Sequence, residues 1–498
     1  MSKARLGIAA GSSLGAEAAA HVAHAGGNAV DACLASAVMA WVAEPCMASL
    51  AGGGFVAVRD PDGNVDVFDG NSAMPNTVPK EPGQGIEMIF APDYSDGLKT
   101  GIGPGSVAVP GILGAIYEAW RKHGSIEWEA LFDDAIRVAR AGIAFPRTSA
   151  YYVTATWHEI WAGFDRARRL FAPGGTLLRE GQPLVQGELA DTLEMVARHG
   201  PAIFYSGALA ESITETLHNE GGFLTVEDLS NYEVQIREPI VAEAFGWLVQ
   251  SNPPPAVGGA VLTHSLALVA QTDLSDPVAR LSAIVEAERA ATGYRSERYV
   301  DPGDVAGALK EALDRLQHAG ESGSTTHASS AGSDGYVCSL TESSGYCSGV
   351  IVGGVLLNNT LGEEELNPRG LHRLPPGSRC HSNMAPTIAT GDGRIVGIGS
   401  PGAGRICGAI AQALVRLAVD GDSLADAVAA PRAHLETRAG LERLCYEPGL
   451  PGDKLGYTTR PYDEPHMFFG GVQVASVDDN GTVDAAHDPR RSGASALV

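Results

Sequence analysis

Hydrophobic and polar positions along this chain fall into two textures. Up to about residue 320 helical spacing dominates. GAEAAAHVAHAGGN is Ala-rich and stops at Gly26-Gly27, residues that suit a helix C-terminus. Asn28 stands where it caps a second helix, AVDACLASAVMAWVAEP, which Pro45 helps to end. That second segment is apolar nearly all round, so it belongs in a core layer rather than on a surface. AGGGFVAVRD and NVDVFDG then flank a Pro-Asp-Gly turn and predict a hairpin. GIGPGSVAVPGILGAIYEAWRKHG reads as a loop opening a helix, and from about 126 to 220 apolar residues keep helical spacing. GGFLTVEDLSNYEV predicts a capped short helix ahead of strands, and SNPPPAVGGAVLTHSLALVA a loop leading into a helix. SAIVEAERAATGYRSERYV and DVAGALKEALDRLQHAG both read as amphipathic helices.

At Glu321 the texture changes. ESGS is small and helix-averse, so 315–324 is expected to be a flexible linker. TTHASSAGSDGYVCSLT and SGVIVGGVLLNN follow with strand and turn character. ICGAIAQALVRLAVDGDSLADAVAAPRAHLE returns to a helical pattern, and HMFFGGVQVASVDDNGTVDAAHDPRR closes the chain as an expected hairpin. Helices flanking two groups of strands predict an α+β sandwich.

The 498 residues carry 35 Lys plus Arg against 59 Asp plus Glu, a formal charge of −24. That balance repels phosphate backbones and anionic lipid, so neither nucleic acid nor membrane is an expected partner. The seven cysteines are odd in number and scattered, with no CxxC pair. Neither a disulfide framework nor a zinc site is expected, and a reducing, cytoplasmic setting fits better. The N-terminus MSKARLGIAAGSS lacks the apolar stretch of a secretion signal, and no apolar run reaches the ~20 residues of a membrane span. No nucleotide loop or metal-ligand spacing is present, so no cofactor is expected.

Candidate chemistry begins at Thr325-Thr326-His327, a strand start directly after the linker. Read alone, it is compatible with an ordinary β-forming threonine pair. A threonine at a free N-terminus, however, carries its own base. Its α-amino group, with a reference pKa of about 8, takes the hydroxyl proton as the oxygen attacks a carbonyl. The peptide bond between Ser324 and Thr325 must first break, and small Gly323-Ser324 permits that. Donors for the developing oxyanion are offered by GIGSPGAGRICGAIAQAL, a strand end, a Ser400–Gly404 turn and a helix start.

Five ordered motifs resemble the γ-glutamyltranspeptidase family along nearly the whole chain. They are GGNAVDACLASAVMAWVAEPCMASLAGGGFVAVRD, TTHASSAGSDGYVCSLTESSG, GVLLNN, NMAPTIATGDGRIVGIGSPGAGRI and AAHDPRR. The resemblance implies a four-layer αββα sandwich of the N-terminal nucleophile hydrolase type. It also implies self-cleavage into a large segment, 1–324, and a small one, 325–498, that stay intertwined as one heterodimeric domain. Thr325 matches the nucleophile. Ser343 falls where the family has a supporting Thr, and Gly402 and Ala403 fall on its paired oxyanion glycines. Ser382 and Asn383 match a Ser pair that binds the substrate carboxylate, and Glu363 matches an Asp that binds its ammonium. His327 is expected to be structural, the cysteines to be packing residues, and Arg490 and Arg491 to tie down the C-terminus. Of Glu363-Glu364-Glu365 only Glu363 is a site candidate.

The departures concern the substrate. Where the family clamps the glutamyl α-carboxylate with an Arg, this chain has Asn71, and an Asn cannot supply the charged fork. A second anchor, an Asn after the supporting Thr, is missing from Thr341–Tyr346, which is about two residues shorter. The expected activity is therefore threonine attack on a carbonyl of a small biosynthetic intermediate, breaking an amide or a C–C bond. The resemblance extends to a branch serving alkylproline-type natural products, which releases an oxalyl group from a ketone. Two alternatives stand beside it: a true γ-glutamyl hydrolase or transferase on glutathione-like substrates, and an unprocessed, non-catalytic scaffold.

Overall fold

The computed structural model describes residues 4–94, 97–294, 325–438 and 441–498. The helix expected over 304–320, the linker 315–324 and Ser324 lie outside the described residues.

Strand β1 (Leu6–Ala10) leads into helices α1 (Ser13–His24) and α2 (Ala29–Ala43). The Asn28 side chain accepts from the N–H of Asp31, and the Asp31 carboxylate accepts from the N–H of Asn28. Such reciprocal capping is worth about 1 kcal/mol and sets the start of α2. All fifteen residues of α2 are buried, as its uniform apolarity requires. The expected hairpin forms from β2 (Gly53–Arg59) and β3 (Val65–Gly70), paired antiparallel. After residue 325 come β4 (Thr326–Gly332) and β5 (Val337–Ser343), also antiparallel.

Among the described residues the first large sheet has seven strands. It runs from Ala494–Leu497 through β1, β4, β5, β2 and β3 to Gln235–Arg237. A six-stranded sheet runs Val483–His487, Gln473–Asp478, Arg394–Gly399, Thr387–Gly391, Trp247–Ser251 and Ile240–Ala244. The sheets face each other, with Ser329 Oγ donating to the Gln473 carbonyl and Ser339 Oγ to that of Ile398. Helices α1, α2 and Ile112–His123 cover the first sheet. Gly258–Val269 and Ile406–Val415 cover the second. The result is the expected four-layer αββα sandwich. Both sheets contain strands from before and from after residue 325, so neither segment can complete a layer alone.

One expectation fails. The helical pattern through PRAHLE ends early, at Ala429, and Ala433–Arg438 is a strand paired with Leu441–Tyr446. Pro431 cannot continue the helix. Arg432 then runs inward, donating to the Val428 and Phe469 carbonyls.

Arg432 belongs to a buried charge network that fixes the C-terminal segment. Its guanidinium meets Asp488 at 2.6 Å, and Arg490 bridges Asp488 at 3.1 Å and Glu447 through Nε at 2.7 Å. Burial pushes the Asp488 carboxyl up, but the Arg432 and Arg490 guanidiniums outweigh it and hold the pKa below the usual carboxylate range. Two cations face two anions, so no charge is left over, yet removing one partner strands the others. Arg490→Met is expected to cost about 3–5 kcal/mol, read as a lower urea midpoint. Adding Glu447→Leu should recover part of that loss. Equal midpoints for wild type and Arg490→Met would show that the network contributes nothing.

Candidate active site

The β4–β5 register pairs Thr326 with Glu342 and His327 with Thr341. Extended by one residue, it sets Thr325 opposite Ser343. Side chains alternate across a strand. Thr325, His327 and Ser329 therefore face the second sheet, while Thr326, Ala328 and Ser330 face α2.

Thr325 is 5% exposed and stands at the mouth of a cavity of about 50 Å³. Asn71, Ser343, Glu363, Ser382, Asn383 and Ala403 line the same cavity. The structure thus gathers those site candidates from five separate chain segments, and Gly402 adjoins Ala403. Gly345, Thr360, Glu365 and His381 also line it and were not singled out from the sequence.

Each wall has a local cause. The Asn71 amide donates to the Cys380 carbonyl at 2.7 Å, which fixes its side chain. Gly345 adopts φ +62, and a Cβ there would lie 2.3 Å from Glu363 Oε1. Only glycine lets the Glu363 carboxyl approach the end of β5. Burial first, and the Glu365 charge beside it, push the Glu363 pKa well above its ordinary value. That shift favours the protonated carboxyl, the form able to donate a hydrogen bond. Asn383 Nδ2 donates to Glu365 at 3.3 Å, and Ser382 Oγ accepts from the N–H of Met384.

The turn before helix Ile406–Val415 holds Gly402 at φ +133 and Ala403 at φ +50. The left-handed Ala403 is costly for a residue with a Cβ, and such backbone strain concentrates at functional turns. Among the described residues neither N–H is engaged by a backbone carbonyl outside this short helix, so both stay available to an oxyanion.

No Lys or Arg is among the described residues lining the cavity. The nearby Arg379 and Arg237 are both committed to Asp69, and Arg379 also stacks over Tyr232 at 4.3 Å. His327 is enclosed between the sheets, bonded to Thr341 Oγ1 and Ser329 Oγ at 2.8 Å each. Burial lowers its pKa to about 3, so it stays neutral, in keeping with a structural place. A Cβ at Gly399 would meet its ring at 2.2 Å.

Behind β4 lies a feature the sequence did not reveal. Glu44 Oε1 accepts from Thr326 Oγ1 at 3.0 Å, and Trp41 Nε1 donates to Glu342 Oε2 at 2.7 Å. Glu342 Oε1 is buried without a partner. Burial, opposed by Thr326, Arg491 and Ser12, raises Glu44 to about 7, and burial holds Glu342 well above its ordinary value. These segments lie about three hundred residues apart, and no motif links them.

The seven cysteines are buried and unbridged. Among the described residues no cluster of His, Cys, Asp or Glu could hold a metal, and no helix is long and apolar enough to cross a membrane.

The family profile described as γ-glutamyltranspeptidase matches residues 15–498. A glutathione hydrolase proenzyme of Bacillus subtilis is 28% identical, over 98% of this chain and 90% of its own length. An acylase ACY 1 proenzyme of a Pseudomonas species is 30% identical, over 85% and 81%. In structure, a cephalosporin acylase from Bacillus halodurans superposes with a TM-score of 0.82 at 24% identity, covering 99% of this chain and 96% of its own. A protein named LmbA follows at 0.78 and 20%, covering 100% and 98%. At those identities the structural matches speak for the fold alone.

Glu44 carries a pH prediction. Its folded pKa is near 7 against an ordinary value of 4.5, so the fold favours the protonated form. The stability this gives is complete below about pH 4.5 and is lost as pH rises through 7, about 3 kcal/mol in all. Glu44→Gln should therefore lose about 3 kcal/mol less than wild type between pH 5 and 8, measured as urea midpoints. Parallel pH profiles for the two proteins would contradict this.

Proposed function

Because the chain belongs to the γ-glutamyltranspeptidase family, we propose that it is a self-processing threonine hydrolase whose nucleophile is Thr325 and whose acyl group is small. Cleavage before Thr325 yields the segments 1–324 and 325–498. The new α-amino group takes the Thr325 hydroxyl proton as Oγ1 attacks the substrate carbonyl. The N–H groups of Gly402 and Ala403 receive the oxyanion, and Ser343 supports the nucleophile from across the strand pair. Collapse expels the leaving half, which takes the proton, and water then releases the acyl group from Thr325.

One observation carries the substrate reading: the cavity at Thr325 is about 50 Å³ and has no cation among its described lining residues. A single water needs ~10–15 Å³ on this measure, so only a fragment of a few heavy atoms fits. A γ-glutamyl group is larger than this space. The side-chain donors in the lining, Ser382 and Asn383, suit a short acyl group such as oxalyl. The same attack serves an amide, where an amine leaves, or a C–C bond beside a ketone, where a stabilised carbanion leaves.

Two measurements test this. On a denaturing gel the purified protein should give two bands, and Thr325→Ala a single full-length one. A wild-type chain that stays uncleaved on long incubation would favour a scaffold. In a panel of anilides, γ-glutamyl anilide should show kcat/KM about a hundredfold below the best of acetyl and oxalyl anilides. Comparable turnover of γ-glutamyl anilide would return the protein to ordinary γ-glutamyl chemistry.

A further inference from the structure

A second, far larger cavity, about 1300 Å³, opens beside the oxyanion turn. Arg405 links the two spaces: it follows Ala403 in the same 3-10 turn and lines the larger one. Two arginines at its floor each keep a buried Nε without a hydrogen-bond partner. Arg405 is 4% exposed, lies over the Phe468 ring at 4.8 Å, and its Nε has no hydrogen-bond partner. Arg491 was expected to tie down the C-terminus as Arg490 does. Its Nε is likewise buried without a partner, and it lies within electrostatic reach of Arg405, Tyr94 and Glu44. Two like charges held together with unspent donors are unfavourable unless an anion joins them.

The rest of the lining continues the pattern. Arg460 stacks over Tyr462 at 5.1 Å on one wall, and Tyr94 packs on Tyr151 at 5.5 Å on another. Arg147 and Arg179 add cations at the rim. Five guanidiniums thus face two carboxylates, Glu180 and Glu464, while Arg490 is neutralised by Glu447 and Asp488. In a chain of formal charge −24 this is a strong local reversal of sign. Guanidiniums over aromatic rings make a surface for flat anions, which take charge-assisted bonds at the edge and stacking on the face.

We propose that this cleft binds the leaving half of the substrate, a planar conjugated group carrying carboxylate. As a leaving-group site the proposal rests on Thr325 as nucleophile; as an anion site it stands by itself. The small cavity holds the acyl fragment, the arginine cleft holds the bulk of the molecule, and the scissile bond lies between them at the turn that bears Ala403 and Arg405.

The test is isothermal titration of the purified protein with 1-naphthoate and its neutral analogue 1-naphthamide. Naphthoate should bind at least about tenfold more tightly, and its affinity should fall as sodium chloride is raised. Arg405→Met and Arg460→Met should each weaken naphthoate by about tenfold and leave naphthamide unchanged. Arg460 is half-buried at the wall, so its variant serves should buried Arg405 prove necessary for folding. Equal binding of acid and amide, or arginine variants that bind like wild type, would overturn the anion site. Naphthoate should also inhibit short-acyl anilide turnover competitively, and tight binding without inhibition would overturn the leaving-group assignment. A protein that binds naphthoate but never cleaves itself would instead count against Thr325 alone.

Discussion

The antiparallel register between β4 and β5 is the constraint on which the site depends. It sets Thr325 across from Ser343, turns Thr325 toward the small cavity and sends Thr326 to Glu44 on the other face. Both strands are buried on both faces, between α2 and the second sheet. A slip of one residue would exchange the two faces completely and place Thr326 and Glu342 between the sheets. The capped, fully buried α2 and the close approach of the second sheet at Gly399 oppose that slip from opposite sides. The fold supplies the site less by shaping a pocket than by fixing parity along one strand.

From that register two electrostatic environments follow. Among the described residues the small cavity is lined by hydroxyl and amide groups and by Glu363 and Glu365, with no cation, and burial raises the Glu363 pKa. The adjoining cleft is cationic, within a chain that is otherwise acidic. A substrate divided between them meets different physics at its two ends: steric selection at the acyl end, and charge with stacking at the other. The buried Arg432–Asp488–Arg490–Glu447 network holds the C-terminal segment that carries Arg491 to the cleft floor. The buried charge network and the cleft floor therefore meet within two consecutive arginines.

Local signals in the sequence were enough for most elements. Asn28 announced α2, Pro61-Asp62-Gly63 announced the hairpin, and the change of texture at Glu321 announced the second half. Motif matching brought Thr325, Ser343, Glu363, Ser382, Asn383 and Ala403 to one cavity, because each motif carries its own backbone geometry. The strand Ala433–Arg438 was missed because its apolar spacing continues the preceding helix, and only Pro431 hints at the break. Glu44 and Glu342 were missed because a carboxyl's environment is made by partners distant in the chain. The arginine cleft was missed for the same reason: its walls come from near residues 94, 150, 178, 405, 462 and 491. Arg490 and Arg491 look identical in sequence, yet one is neutralised by carboxylates and the other keeps an unpartnered Nε.

The doublet Thr325-Thr326 offers two hydroxyls of the same chemistry on neighbouring residues. The strand tells them apart by handing one to the cavity and the other to Glu44. Which threonine faces the cavity is thus a matter of odd and even counting from Gly332 backwards. Deleting one residue within β4 would move Thr325 into the place of Thr326, facing Glu44 rather than the cavity. A two-residue deletion would restore the facing but leave the strand too short to reach the oxyanion turn. The protein reads position along this strand as a ratchet reads teeth, and the pleat alone separates two otherwise identical hydroxyls.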